Sequence, residues 1–154
     1  MAASALKAAF MLNFVKFAEW PARKPKVPIL LCVSGDEGIA DALTRTVVGQ
    51  TVDGRPVQVS RIASGGVVAD CQLLFIAERD PRRLAAILQE ASESPVLTVS
   101  DVEKSATNGV MIEFFLEKDR LRFAVNIDAM ERSQIKLGSR ILSLAVIVRT
   151  RPGQ

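Results

Sequence analysis

Three short, largely apolar runs restrict the fold of this chain more than any other feature: residues 29–33 (ILLCV), 71–77 (CQLLFIA) and 96–100 (VLTVS). Each has the length of a strand. The first is apolar at every position, the mark of a strand covered on both faces. Helical patterns separate them. Ser34-Gly35-Asp36-Glu37-Gly38 is a turn leading into a helix over 39–48, and Asp80-Pro81 opens another, with proline in the first turn and Leu84, Ile87 and Leu88 along one side. Strands alternating with helices demand right-handed crossovers, and therefore a parallel sheet. The expected fold is a mixed α/β, Rossmann-like sandwich: a mainly parallel sheet, a C-terminal antiparallel hairpin, and helices on both faces. At 154 residues it is expected to form one domain, residues 1–154.

The remaining segments are less regular. Thr51 to Arg55 reads as a turn, with Val57, Val59 and Ile62 alternating as a short strand before Gly65-Gly66 breaks the pattern. Asp101 is expected to cap a short helical turn ending near Asn108-Gly109. The hairpin comprises 111–117 and 120–126 around Lys118-Asp119, with Ile112, Phe114 and Leu116 alternating opposite Leu121, Phe123 and Val125. A last helical region runs from about Asp128, is interrupted near Gly138, and resumes from Ile141 through Val148. Residues 149–154 are expected to fray.

The N-terminal segment carries four of the eight aromatic residues: Phe10, Phe14, Phe17 and Trp20. Steps of four, three and three residues fit the helical period, so a helix over 1–20 would align all four rings on one stripe. Pro21 and the basic run to Pro28 cannot continue it. One reading clamps this stripe onto the sheet. Another leaves part of it, Trp20 above all, exposed for a partner.

Composition narrows the chemistry. The sequence is 49% hydrophobic and 24% charged, which excludes a disordered chain. Net charge is only +3 and the basic residues are scattered, with no aromatic interleaving of the nucleic-acid type. No apolar run is long enough to span a membrane. No signal-peptide pattern opens the sequence, which fits either an unexported protein or a mature exported one. Histidine is absent, removing the commonest general base and metal ligand. With two cysteines besides, no metal site and no cofactor site are expected.

The loop Gly35-Asp36-Glu37-Gly38 has the strand–turn–helix setting of a phosphate cradle. It lacks the full glycine fingerprint and a Walker lysine, and its acidic pair would repel an anion. Asp36 and Asp101 both follow predicted parallel strands, where open α/β sheets keep their sites. They are candidate ligand contacts, or simple helix caps. Arg122 lies in the hairpin on the face opposite Phe123. Beside Arg120, Glu113 and Glu117 it suits cross-strand ion pairs, or a guanidinium offered to a partner's carboxylate. Cys32 lies in the first buried run and Cys71 opens the second, 39 positions away. A bridge between them would stabilise by roughly 4 kcal/mol in the loop-entropy model. Two buried free thiols fit the residues equally well.

Taken in order, ALKAAFMLNFVKFAEWP (5–21), ILLCVSGD (29–36), CQLLFIA (71–77), LTVSD (97–101), NGVMIEFFLEKDRLRFAVN (108–126) and IKLGSRILSLA (135–145) resemble the YfiR family of small periplasmic proteins from Gram-negative bacteria. The resemblance implies an exported, non-enzymatic regulator. In the best-known arrangement such a protein holds down an inner-membrane diguanylate cyclase through its periplasmic domain. Cyclic-di-GMP output and biofilm behaviour then follow envelope conditions. It further implies a homodimer and sensitivity to redox state. Cys32 and Cys71 fall on the family's cysteine positions, which tilts the open choice toward a bridge in an oxidising periplasm. A second cysteine pair, known in the best-studied member, is missing here. Because related domains accompany histidine kinases, a sensor kinase is an alternative partner. The competing reading is a small-ligand sensor with its site at the carboxyl ends of the parallel strands.

Overall fold

The computed structural model describes residues 2–21, 28–63 and 66–150. Gly65 and residues 22–27, which include Arg23, Lys24 and Lys26 of the basic run, lie outside the described residues. The chain runs α1 (Ala2–Phe17), β1 (Ala18–Glu19), β2 (Ile29–Ser34), α2 (Glu37–Thr46), β3 (Thr51–Val52), β4 (Arg55–Arg61), β5 (Leu73–Ile76) and α3 (Pro81–Ala91). It continues through β6 (Leu97–Ser100), β7 (Ile112–Glu117), β8 (Arg120–Asn126), α4 (Ile127–Ser133), β9 (Lys136–Leu137), α5 (Ser139–Leu144) and β10 (Val146–Val148).

The main sheet has the order β10-β8-β7-β6-β5-β2-β4-β3. β4, β2, β5, β6 and β7 are mutually parallel, and β8 returns antiparallel beside β7 with Phe114 opposite Phe123. The mainly parallel sheet and its hairpin are therefore as the sequence indicates. The two-residue period sorts side chains between two cores. Leu31, Val33, Leu73, Phe75, Leu97 and Val99 face α1 and α2, whereas Cys32, Leu74 and Ile76 face α3 through Leu84 and Ala91.

Local chemistry sets the helix starts. Asp36 accepts from the Ile39 amide at 3.0 Å and Asp80 from the Arg82 amide at 3.0 Å. Such caps are worth about 1 kcal/mol each. Pro81 stands in the first turn of α3, where its missing N–H costs nothing.

Four expectations need correction. The N-terminal helix stops at Phe17 rather than Trp20, because Ala18 and Glu19 pair antiparallel with Leu137 and Lys136. The stripe is thus divided: Phe14 is fully buried, but Phe17 is 57% exposed. Residues 101–109 form turns and not a helix, for Lys104 adopts a left-handed φ of 68°. Ser100, not Asp101, accepts the first turn bond, from Val102. The segment 146–148 is a strand beside β8, not the end of a helix, and Leu144, Val146 and Ile147 are exposed. Finally, the tail is tied down as far as Thr150: its amide donates to Asp128 at 2.9 Å, and Arg149 pairs with the same carboxylate. Residues 151–154 lie outside the described residues.

One hairpin escaped the pattern. Asp53 and Gly54 both have positive φ (52° and 75°), the type I′ geometry that joins β3 to β4. The Asp-Gly signal is there, but a two-residue strand is too short to show alternation.

Candidate functional site

The exit from α1 builds the most distinctive surface of the molecule. β1 pairs with β9, and the Gly138 amide donates to the Phe17 carbonyl at 3.0 Å. A Cβ at residue 138 would stand 3.2 Å from that oxygen, so glycine allows the two backbones to approach. This small clamp sets Trp20 at the edge of a groove of about 730 Å³. Its apolar lining comes from Trp20, Ile127, Met130, Ile135, Leu137 and Leu142, with Glu19, Glu131 and Lys136 as a mixed-charge rim. Met130, Ile135 and Leu137 are buried beneath it, while the rim residues are exposed.

Trp20 contributes more than area. Its Nε1 is buried and has no hydrogen-bond acceptor among the described residues. The indole N–H is a donor only. Leaving such a group unpaired costs about 1–3 kcal/mol. Sequence reading singled out Trp20 but missed the groove. Its other walls come from 127–142, more than a hundred residues downstream.

The remaining candidates have other occupations. Asp36 caps α2. Asp101 is ion-paired with Lys7 at 2.9 Å, both side chains mostly buried, which fixes α1 to the carboxyl end of β6. A cavity of about 580 Å³ does lie at the carboxyl ends of β2 and β5, between Ser34-Gly35 and Arg83 of α3. Neither aspartate lines it; its charged residues are Glu78, Arg83 and Glu90. Arg122 reaches Glu117 at 2.6 Å, the expected cross-strand pair. Glu113 turns away, accepting the amides of Lys104 and Ala106. Arg120 stands exposed at the mouth of the hairpin, in register with Glu117.

Cys32 and Cys71 form a disulfide, with Cα atoms 5.9 Å apart. The route differs from simple strand adjacency. β2 and β5 are indeed neighbours, but Cys32 is in register with Leu74, and Cys71 precedes β5 in a turn closed by its amide on the Val68 carbonyl at 3.1 Å. That turn folds back over Cys32 on the α3 side, where both sulfurs are buried.

None of the described helices is long and apolar enough to cross a membrane. Residues 4–146 match the profile of a family described as YfiR/HmsC-like. This covers nearly the whole chain, including every wall of the Trp20 groove and both cysteines. The protein therefore belongs to the YfiR/HmsC-like family, whose members are periplasmic regulators with membrane signalling partners.

Proposed function

We propose that this protein is a non-catalytic periplasmic regulator that binds and represses an inner-membrane diguanylate cyclase, as a homodimer and in a redox-responsive way. The Trp20 groove is the observation that carries the reading. It is apolar, open, rimmed by both charge signs, and bordered by a buried donor with no acceptor among the described residues. Those are the properties of a contact centre, where a desolvated aromatic anchor sits inside a polar rim. A partner loop that inserts an apolar side chain, and turns the indole so that Nε1 meets a carbonyl, would satisfy both. A sensor kinase's periplasmic domain could present the same loop. In this reading the redox response acts through the Cys32–Cys71 bridge in the α3 layer.

Trp20→Phe tests this most sharply, because it keeps the ring and removes the N–H. Capture of the cyclase's periplasmic domain by the purified protein should weaken about tenfold, matching one lost hydrogen bond of about 1.4 kcal/mol. Trp20→Ala should abolish capture. In cells, deletion of the gene should raise cyclic-di-GMP. Unchanged cyclic-di-GMP, together with no membrane protein recovered from solubilised envelopes, would refute the regulatory reading.

A second reading is favoured by the cavity at the ends of β2 and β5, which lies where the strand order reverses. Its mixed Glu78, Arg83 and Glu90 lining suits a small zwitterionic metabolite. A thermal-shift screen separates the two: stabilisation by a small molecule, lost in Arg83→Ala but kept in Trp20→Ala, would favour the sensor.

A further inference from the structure

We infer that the β10 edge of the main sheet is the seat of a second copy of this chain, paired antiparallel about a two-fold axis at Ile147. This deepens the homodimer element of the proposed function by naming its surface, and it is independent of what the Trp20 groove binds.

The two ends of the sheet differ. β3 closes one end with two residues folded back by a tight turn, a short and blunted edge. β10 closes the other, bonded to β8 on one side only among the described residues. It carries no Lys, Pro or bulge of the kind that guards an edge. Instead Val146 and Ile147 are 39% and 49% exposed, and Leu144, at the end of α5, is 59% exposed. A bare, β-branched edge with this much apolar surface is a template for another strand.

The sequence of the edge selects the occupant. Val146-Ile147-Val148 reads the same in both directions. Antiparallel pairing about Ile147 therefore sets Ile147 on its own copy and each Val146 on a Val148, all apolar cross-strand pairs. The next pair is Ala145 with Arg149, so no charge meets its like; Leu144 ends α5 and stands outside the ladder. Arg149 is already held by Asp128 at 3.2 Å within its own chain. A palindromic edge of this kind is self-complementary, as an isologous interface requires. Val146 lies beside Ala124 and Ile147 beside Val125, so the extended sheet would carry apolar side chains across the junction on both faces.

Cysteine crosslinking reads the register directly, since both native cysteines are already bonded to each other. Directly opposed residues in an antiparallel pair have Cα atoms about 4.5–5.5 Å apart, within disulfide range. Under mild oxidation Ile147→Cys should become a covalent dimer in most of the sample. Val146→Cys, opposed to Val148 rather than to itself, should crosslink several-fold less, and exposed Val48→Cys only at background. Sedimentation of the unmodified protein should show a dimer, shifted to monomer by Ile147→Lys with its circular dichroism melt retained. A monomeric unmodified protein at about 100 µM would overturn the inference, as would equal crosslinking at Val48, or a dimer indifferent to Ile147→Lys. If Ile147→Lys fails to fold, the crosslinking pattern alone decides.

Discussion

The two faces of the sheet are held by different means. On the α1 side, Phe14 packs against Phe10, Phe114 and Phe123 with ring centroids 6.3, 5.9 and 5.1 Å away, inside the larger core. On the α3 side the core is smaller, with no aromatic ring, and a covalent bond crosses it. The difference teaches where redox chemistry can act. Aromatic burial is indifferent to thiol oxidants and reductants, so reduction should loosen one layer and spare the other. The Trp20 groove belongs to the spared side, its floor continuous with the larger core.

The hardest blow to this contrast is Phe14→Ala. It should cost about 3–5 kcal/mol in urea unfolding, as the loss of a fully buried ring among three others. Removing the bridge by Cys32→Ala with Cys71→Ala comes next, at up to about 4 kcal/mol. Hydrogen exchange refines that second test. Amides of α3 and of residues 68–72 should lose protection first, while the β7–β8 hairpin keeps it; a uniform loss would break the contrast. Gly138→Ala should cost about 1 kcal/mol by pressing a methyl on the Phe17 carbonyl. Its signature is a change in Trp20 fluorescence before any change in the α3 layer. Asp101→Asn is the mildest, at or below about 1 kcal/mol, because its pair with Lys7 retains some solvent.

The parallel core was legible because β2, β5 and β6 are buried on both faces and their residues say so one by one. The hairpin was legible from alternation, and the cap at Asp36 from its position before a helix. What failed had a common cause. Ala18 and Glu19 left the helix for a pairing with residues 136–137, carrying Trp20 out of it, and Val146-Ile147-Val148 became a strand because β8 lay beside it. Both outcomes are set by partners distant in the sequence, and short segments carry too little local signal to resist them. The groove shares this character: Trp20 was visible alone, its walls were not.

The seat of α1 has a consequence for how the chain is made. Phe10 and Phe14 rest on Phe114 and Phe123, and Lys7 on Asp101, so α1 can meet α2 early but completes its aromatic seat only after about 100 further residues are synthesised. Until then the two rings lack the partners they pack on in the folded protein. Closure of this long-range aromatic seat, rather than formation of α1 itself, should be the late, slow event of folding.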